Sequence, residues 1–423
     1  MAHGPVSAIQ AWHRNPVVLF LLPGVGSCLS DHLEEPAVSE NLSNRITKVL
    51  IAGAGVGGLT AALSLHRRGV QVEVYEKYKG MQRHTTGFTL WSYAITRLQE
   101  LGLGPSEMET VGTPVEVMEI RNQKGRLIAK MPIGEVSREL GADSYEIKRP
   151  RLLEAIESQL PEGTVRRGVE CVSAESSGNA ATLEFADGSK ATGDLVIGAD
   201  GIHSNLRASV SGPSELRDSG YRGCSAVTDY TSRDDLAHFH IDIWGKGGKA
   251  GIADVGEGRI RWYLTWKTKL DNEMQTREQL LSAHQGWDPI LLEVIESTPE
   301  SEILHHQFFD IAAIETWRRG RIVLLGDAAH ATTPFAAMGA NMTIEDVAVL
   351  TEQLEQAPEV DSALAAFEDA RKQRTEDIVS KGQSMARLTQ LHSSFAAWLR
   401  DQAFLHMPEK ETEKVTREMA SGE

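Results

Sequence analysis

The chain has 423 residues, which is too long for one small binding module and predicts two or three packed domains. Hydrophobic residues make up 41% of it and charged residues 24%, a composition typical of globular proteins rather than of disordered or fibrous ones. The 59 Asp and Glu outnumber the 43 Lys and Arg, and the net charge of −16 repels phosphate backbones and anionic lipid surfaces, so we expect no nucleic-acid partner.

The cysteines and the hydropathy pattern indicate a soluble protein of a reducing compartment. Cys28, Cys171 and Cys224 are odd in number and far apart, so neither a disulfide framework nor a metal site is indicated. No apolar stretch approaches the roughly 18 residues that a spanning helix needs. We therefore predict a cytoplasmic protein without stable membrane insertion.

Residues 1–45 form a segment of different character. Arg14 precedes an apolar run at residues 17–22, and the small residues at 25–28 loosely resemble an export cleavage site. Several prolines argue against regular structure there. Export remains open as an interpretation, and the interpretation that we adopt is a disordered leader before a domain that begins near Ile46.

A βαβ unit opens the predicted folded part. Residues 48–52 and 70–76 have the apolar, β-branched character of strands, and residues 59–68 have helical spacing. Between the first strand and the helix lies Gly53-x-Gly55-x-x-Gly58, whose backbone N–H groups can face a pyrophosphate. Glu76 ends the second strand, where a carboxylate can accept both ribose hydroxyls. These features together predict an adenine dinucleotide site.

The glycine motif alone does not identify the cofactor. Such a pattern also occurs in plain tight turns, and the same fingerprint serves NAD, NADP and FAD. An acid at position 76 disfavours a 2′-phosphate, so NADP is the least expected of the three in this site.

The middle of the chain contains two kinds of strand pattern. Residues 195–200 and 322–327 each read as a strand followed by an acid. Between them, short alternating runs such as 239–244 and 259–266 are separated by glycine-rich turns, which predicts an antiparallel or mixed sheet inserted into the first domain. Residues 343–405 favour helices, and the charged tail after Pro408 is expected to be frayed.

Three motifs together resemble the single-component (class A) FAD-dependent monooxygenases of the para-hydroxybenzoate hydroxylase group, over residues 46–405. They are Gly53-Ala54-Gly55-Val56-Gly57-Gly58 with Glu76; Gly193-Asp194-Leu195-Val196-Ile197-Gly198-Ala199-Asp200-Gly201 continuing to Arg207; and Gly326-Asp327-Ala328-Ala329-His330 continuing through Pro334, Gly339, Asn341 and Glu345-Asp346. The resemblance implies an α/β fold in which a Rossmann-like FAD-binding domain is interleaved with a mixed or antiparallel β-sheet substrate domain and followed by C-terminal helices.

The resemblance also implies a division of the chain. The expected segments are a leader at 1–45, FAD-binding parts at 46–115, 146–215 and 317–345, substrate-domain parts at 116–145 and 216–316, C-terminal helices at 346–408 and a tail at 409–423.

The cofactor-binding residues implied by the resemblance fall on all three motifs and on two arginines. They are Gly53, Gly55, Val56, Gly57, Gly58, Glu76, Lys77, Arg83, Arg149, Asp200, Gly201, Gly326, Asp327, Pro334, Gly339, Ala340 and Asn341. Asp200-Gly201 is expected near FAD and a reduced nicotinamide, and Asp327 on the ribityl chain. His330 is expected to make a supporting hydrogen bond in the cofactor loop rather than to act as a base.

The loop after Pro334 leads into a helix expected to start near Thr343, and the free N–H groups of a helix start suit the negative charge of a reduced flavin. Relatives commonly have Gly-Gln where this chain has Ala337-Met338. If position 337 requires a left-handed backbone, Ala337 costs roughly 1 kcal/mol of strain.

The substrate side is less well defined by sequence. Alternation in residues 259–266 places Arg261 and Tyr263 on one face and tryptophans on the other, so these two are weak candidates for holding a carboxylate or phenolate. The alternative is a solvated sheet face over an aromatic core. His240, Asp242 and Trp244 form a comparable set with the same ambiguity.

The predicted function is a monooxygenase that uses FAD, NADH or NADPH, and O2 to insert one oxygen atom into an electron-rich small organic molecule, aromatic or polyketide-like, through a flavin C4a adduct. The alternatives are an epoxidase or a non-oxygenating oxidoreductase of the same fold and, in another class, a flavin-free NAD-binding dehydrogenase or regulatory protein. A monomer or a homodimer is expected.

Overall fold

The computed structural model describes residues 41–81, 87–230, 237–267 and 276–422, and the secondary structure follows the chain from Leu42. The strands are Lys48–Ala52 (β1), Gln71–Glu76 (β2), Gly87–Leu90 (β3), Gly112–Pro114 (β4), Val117–Asn122 (β5), Leu127–Met131 (β6), Tyr145–Lys148 (β7), Val165–Arg167 (β8), Cys171–Ser177 (β9), Ala180–Phe185 (β10), Lys190–Gly193 (β11), Leu195–Gly198 (β12), Leu216–Asp229 (β13), Phe239–Trp244 (β14), Gly248–Asp254 (β15), Arg259–Lys267 (β16), Leu304–Ile311 (β17), Arg318–Arg319 (β18) and Ile322–Leu324 (β19). The α-helices are Leu42–Arg45 (α1), Val56–Arg67 (α2), Ser92–Glu100 (α3), Pro105–Val111 (α4), Ile133–Glu139 (α5), Arg149–Glu157 (α6), Leu206–Ser211 (α7), Arg277–Ala283 (α8), Pro289–Ser297 (α9), Asp327–His330 (α10), Gly339–Gln356 (α11), Val360–Thr389 (α12), Ser394–Leu405 (α13) and Glu409–Ser421 (α14). Short 3₁₀ turns occupy Glu300–Glu302 and Pro334–Ala336.

A six-stranded sheet in the order β18-β19-β12-β1-β2-β8 carries the first glycine motif. Its strands are parallel except for β18, and α2 makes the crossover from β1 to β2. A Cβ atom at Gly58 would lie 1.8 Å from the carbonyl oxygen of Gly53, so the helix can pack on the strand end only because this residue is glycine. The Rossmann-like part of the predicted fold is confirmed.

A seven-stranded sheet has the order β17-β13-β16-β15-β14-β5-β6, with β14 and β5 as its parallel pair. Alternation in β16 directs Trp262 and Leu264 to a face covered by α8 and α9, where both are fully buried. The opposite face carries polar and charged side chains and is named the polar face below. The predicted mixed sheet is therefore confirmed, and its two alternating runs 239–244 and 259–266 correspond to β14 and β16.

Two smaller sheets complete the β structure of the described residues. The order β3-β7-β4 is antiparallel and lies beside the polar face, and β11-β10-β9 is an antiparallel meander next to the six-stranded sheet. The main hydrophobic core lies between the six-stranded sheet and the helices α2, α3 and α11.

The C-terminal region corrects two expectations. The helix that follows the proline segment begins at Gly339 rather than near Thr343. The charged tail is not frayed, because residues 409–421 form α14, in which Thr416 and Ala420 are fully buried against the body while charged residues occupy the outer side. An ion pair between Arg417 and Glu139 of α5 adds to this contact. The sequence-based expectation weighed the charged residues of this segment and overlooked the small and apolar residues that recur on one side of the helix.

None of the helices in the described ranges is long and apolar enough to cross a membrane.

Candidate active site

The first glycine motif leaves an open, uncapped helix end. α2 begins after Gly55 without a side-chain cap and without an acidic residue in its first turn. A Cβ atom at Gly55 would meet only the Nη2 atom of Arg149, at 3.9 Å, so space remains in front of this helix end. Unpaired N–H groups and the positive end of the helix dipole favour an anion such as a pyrophosphate there.

Glu76 lies beside this helix end. Its carboxylate accepts hydrogen bonds from the backbone N–H groups of Ala54 and Tyr78, both at 2.9 Å, and this fixes it at the end of β2. The remaining lone pairs of the two oxygens are available to a ligand. Lys77 is exposed, and its ammonium lies over the Tyr78 ring. Arg83 lies outside the described residues.

The three motifs meet at one place. A Cβ atom at Gly53 would approach the Cα atom of Asp200 to 3.0 Å, and one at Gly57 would lie 2.7 Å from side-chain atoms of Leu325 and Thr343. Glycine in the first motif therefore allows the second and third motifs to pack directly against it.

Asp200 has one oxygen committed and one free. Its Oδ2 accepts the N–H groups of Asn205 and Leu206 at the start of α7, at 2.9 and 3.2 Å. Its Oδ1 is buried and has no hydrogen-bond partner among the described residues. Gly201 follows in a left-handed conformation with φ of +80°. An unpaired buried carboxylate oxygen is costly, and it is the position at which a ligand donor would be stabilised.

Asp327 follows Gly326, whose φ is +59°. Asp327 is exposed to solvent, although other parts of the chain lie close around its carboxylate. Burial raises the pKa of this carboxyl, and the charges of His330 and Arg149 offset this only in part. A ligand hydroxyl group next to this carboxylate could donate a hydrogen bond to it.

Arg207 joins the second motif to the third, and sequence reasoning did not single it out as a site residue. Its side chain is almost fully buried and donates to the carbonyl oxygens of Ile202, Asp327 and Ala328 at 2.8 to 3.0 Å. This guanidinium therefore fixes the relative position of Asp200 and Asp327. The signal available in the sequence is that Arg207 closes the quoted motif that begins at Gly193.

Asp346 anchors the third motif from behind. Its carboxylate accepts the Gly326 N–H at 2.9 Å, lies 2.6 Å from Nε2 of His330, and accepts Nε–H of Arg371 in α12 at 2.7 Å. Burial would raise the pKa of Asp346, but the charges of His330 and Arg371 outweigh it and lower that pKa. The expectation that His330 makes a supporting hydrogen bond agrees with this geometry.

The proline loop, residues 332–338, ends in a second uncapped helix. Ala337 has φ of +53° and ψ of +30°, the left-handed conformation in which a non-glycine residue is strained. α11 then starts at Gly339 without a side-chain cap or an acidic first turn, so the first N–H groups of the helix, including those of Gly339 and Ala340, have no partner within the helix.

Asn341 uses its side chain to fix this helix end. The amide donates to the carbonyl oxygens of Thr89 and Ala337 at 2.9 and 3.1 Å, and its oxygen accepts the Trp91 N–H at 2.8 Å. Only the backbone of Asn341 therefore remains for a cofactor.

The polar face carries a buried network of charges. Glu146 of β7 accepts hydrogen bonds from Thr89 at 2.5 Å and from Arg261 at 2.8 Å, and lies 2.6 Å from His240. Burial would raise the pKa of Glu146, but the charges of Arg261 and His240 outweigh it and lower the pKa to about 2. The network ties β7, which leads directly to Arg149, to the seven-stranded sheet.

Asp242 is the second centre of this network. Lys249 lies 2.8 Å from it, His240 lies 3.3 Å from it, and the hydroxyl of Tyr263 donates to it. Burial would raise the pKa of Asp242, but the charge of Lys249 and the contact with His240 outweigh it and lower that pKa. Burial and the Asp242 carboxylate both raise the pKa of Tyr263, so Tyr263 stays a phenol.

The polar face is therefore not solvated, because β7 covers part of it and its charges pair with one another. Arg261 is 7% exposed, whereas Tyr263 is half-buried, and the cations of Arg261 and Lys249 lie over its ring. Sequence reasoning named Arg261, Tyr263, His240 and Asp242 but missed Glu146. A lone acid within the buried strand β7 was the signal available for it.

Aromatic side chains connect the proline loop to the polar face. The ring of Phe335 lies 4.8 Å from that of Tyr221 in β13 and 5.8 Å from that of Phe308 in β17. His306 stacks on Phe308, and its Nε2 lies 2.5 Å from the hydroxyl of Ser225. Since these residues share the side of the sheet that carries Tyr263, the proline loop faces the polar face.

The donor set fits FAD. The open helix end at Gly55 suits the pyrophosphate, Glu76 and Asp327 suit hydroxyl groups, and the uncapped start of α11 suits the electron-rich edge of the isoalloxazine. The buried Oδ1 of Asp200 has no hydrogen-bond partner among the described residues, as is expected where a bound cofactor supplies the donor.

The comparisons with known proteins agree with this geometry. A family model described as FAD binding domain matches residues 46–381. The aurachin C monooxygenase/isomerase of Stigmatella aurantiaca is 31% identical over 374 residues, which cover 87% of this chain and 96% of the relative. The 3-amino-4-hydroxybenzoate 2-monooxygenase of Streptomyces cremeus is 32% identical over 351 residues, covering 81% and 88%.

A solved structure agrees as well. Klebsiella pneumoniae HpxO, complexed with FAD and uric acid, superposes with a TM-score of 0.81 at 26% identity, covering 88% of this chain and 96% of that one. The match of the family model over most of the chain and the identity to full-length relatives confirm the family predicted from the three motifs. The chain binds FAD and belongs to the class A FAD-dependent monooxygenases of the para-hydroxybenzoate hydroxylase-like family.

Proposed function

We propose that the chain inserts one oxygen atom of O2 into a flat, electron-rich organic molecule held between the polar face and the proline loop, with NADH or NADPH as the reductant. The observation that carries this proposal is the convergence of the three motifs, in which Gly53 packs on Asp200 and Gly57 on Thr343. The proline loop that follows the third motif contacts the facing sheet through Phe335. Segments 46–115, 146–215 and 317–345 would serve FAD, and segments 116–145 and 216–316 the substrate.

FAD supplies the redox chemistry, since it accepts hydride and activates oxygen. The chain's own residues hold and orient it. The N–H groups at the start of α2 bind its phosphates, Glu76 and Asp327 accept its hydroxyl groups, and Arg149 adds positive charge beside Gly55. The N–H groups at the start of α11 stabilise negative charge on the ring without offering a titratable proton.

Tyr263 is the residue we assign to substrate orientation. Because its hydroxyl proton is donated to Asp242, its oxygen can only accept a further hydrogen bond. A substrate that carries an O–H or N–H group on a flat ring would meet this requirement. Uric acid and 3-amino-4-hydroxybenzoate, named with the relatives above, both carry such groups.

Water exclusion falls to the aromatic residues on the other side of the proposed substrate position. Phe335 contacts Tyr221 and Phe308 and covers the edge of the sheet next to the proline loop. Keeping water from the reacting atoms favours transfer of oxygen to the substrate over its loss.

The nicotinamide cofactor has no glycine fingerprint of its own, since Gly53-x-Gly55-x-x-Gly58 is assigned to FAD. We therefore propose that NADH or NADPH binds transiently beside the flavin. A cytoplasmic location, in which the cysteine thiols stay reduced, and a monomeric or homodimeric state complete the proposal.

The test has two steps. Purified protein should carry flavin absorbance, and a panel of hydroxylated and nitrogen-bearing aromatic compounds should contain members that stimulate NAD(P)H oxidation. With 18O2, the product of such a compound should contain one 18O atom by mass spectrometry. NAD(P)H oxidation without any oxygenated product across the panel would instead support the non-oxygenating oxidoreductase.

A further inference from the structure

α13 exposes a stack of large apolar side chains. Phe395, Trp398 and Leu399, named the α13 patch, are 68%, 54% and 42% exposed. Their spacing places them on one side of the helix, and the rings of Phe395 and Trp398 are stacked with centroids 6.0 Å apart. Three such residues together form a contiguous exposed apolar surface, which in globular proteins marks a contact site.

The exposure of the α13 patch is not the result of an undocked helix. On the opposite side of α13, Arg400 is 5% exposed and donates to the carbonyl oxygens of Thr389 and Trp244, at 2.9 and 3.3 Å. The ring of Phe404 meets that of Trp244 edge-on at 4.8 Å. α13 is therefore fixed on the body and has apolar residues on its outer side as well.

Exposed cations lie at the same end of the seven-stranded sheet. Gly247, in the turn between β14 and β15, donates its N–H to the carbonyl oxygen of Leu391 just before α13, at 2.9 Å. The neighbouring Lys246 donates its N–H to the Gln123 side chain in the turn between β5 and β6, at 3.0 Å. The two turns and β6 carry the cations that we name the basic rim: Lys124, Arg126, Lys130 and Lys246.

The basic rim is electrostatically available. All four side chains are exposed, and no carboxylate within the described part of the chain forms an ion pair with them. Arg121, next to the turn of the same hairpin, forms ion pairs with Glu119 and Asp288, so these two carboxylates are directed at Arg121 rather than at the basic rim. The net charge of −16 averages over the whole surface and does not describe this end of the sheet.

We propose that the α13 patch and the basic rim dock the protein on the surface of a bilayer that contains anionic lipids. Aromatic and leucine side chains of a surface helix enter the interfacial region, and neighbouring Lys and Arg side chains bind the headgroups. The acidic remainder of the chain is repelled, so only this orientation is favourable. A second copy of the chain fits less well, because pairing two α13 patches would bring two basic rims together. The inference does not depend on the proposed reaction.

The test uses the full-length FAD-loaded protein and vesicles of phosphatidylcholine with and without phosphatidylglycerol. We expect cosedimentation with the anionic vesicles, weakened at high salt, and at least about tenfold weaker binding for Phe395→Ser combined with Trp398→Ser. Lys124→Glu with Arg126→Glu should weaken binding to a similar degree without touching α13. Val172→Ser, at a side chain 39% exposed on β9, is the matched control and should bind like the parent protein.

Flavin absorbance and circular dichroism confirm that each variant is folded. The proposal is overturned if the parent protein binds neither kind of vesicle, or if Val172→Ser weakens binding as much as the α13 double variant does. It is also overturned if light scattering shows a dimer that the α13 double variant abolishes while that variant still binds vesicles. Loss of vesicle binding in both the α13 and the rim variants, with salt dependence in the parent protein, supports it.

Discussion

The substitution Gly55→Ala is expected to leave the stability of the fold unchanged while weakening the binding of FAD. The added Cβ would have Arg149 Nη2 at 3.9 Å as its nearest protein neighbour, and φ of −80° at Gly55 is ordinary for alanine. Alanine is a poorer N-cap than glycine, which costs a few tenths to about 1 kcal/mol. The smaller entropy of the unfolded alanine chain offsets this by about 0.4 to 1 kcal/mol. We expect the free energy of unfolding without cofactor to change by less than about 0.5 kcal/mol.

FAD binding should respond very differently. If the pyrophosphate lies against the backbone at Gly55, a methyl group occupies the place that the phosphate oxygens need. We expect the affinity for FAD to fall about 100-fold, equivalent to about 2.8 kcal/mol. Fluorescence titration of the cofactor-free protein with FAD measures this change, and urea unfolding of the same preparation measures stability.

Gly58→Ala is the matched control on the same motif. Its Cβ would lie 1.8 Å from the Gly53 carbonyl oxygen, so the strand and helix must move apart, and we expect a loss of about 3 kcal/mol in unfolding free energy. The reasoning is refuted if Gly55→Ala is destabilised like Gly58→Ala, or if it binds FAD as tightly as the parent protein.

Three further substitutions test the polar face and the proline loop. Glu146→Gln should lower the unfolding free energy by about 3 kcal/mol at neutral pH, because buried cations lose their carboxylate. With the pKa of Glu146 lowered to about 2 when folded, this difference is complete above about pH 4.5 and shrinks as the pH falls toward 2, as urea unfolding at several pH values would reveal. Tyr263→Phe removes the hydroxyl from Asp242 and should raise the substrate KM about tenfold while leaving flavin absorbance unchanged; an unchanged KM would contradict the assigned substrate position. Ala337→Gly should raise the unfolding free energy by up to about 1 kcal/mol, whereas Ala336→Gly, where φ is not positive, should lower it by about 0.5 to 1 kcal/mol, and equal effects in denaturant unfolding would argue against strain at position 337.

The parts of the fold predicted best are those with local signals. The strand at 48–52, the glycine turn and the helix before Gly69 each follow from residues within one turn of each other, and Gly69 ends the helix with φ of +78° as expected. The alternation in β14 and β16 likewise predicts which side chains share a face. Propensity and periodicity act over a few residues, so a local pattern is enough to locate these elements in the sequence.

The contacts that define the polar face were beyond sequence reasoning. Glu146 meets His240 and Arg261, which are 94 and 115 positions away in the chain. No local pattern specifies such a pair, since it depends on how β7 is placed over the seven-stranded sheet. The alternation rule placed Arg261 on the correct face but could not tell a solvated face from one covered by another strand pair.

The left-handed Ala337 shows how a local rule can be broken by tertiary contacts. Alanine disfavours this conformation, yet its carbonyl oxygen accepts the Trp91 indole N–H at 3.3 Å and the Asn341 side-chain amide at 3.1 Å. Both donors are held in place, because Trp91 is fully buried and Asn341 is bound to the backbone of β3. The strain at Ala337 is therefore offset by contacts rather than avoided by glycine, as strained backbone near functional sites requires. These contacts hold the proline loop at Ala337, directly before the first turn of α11.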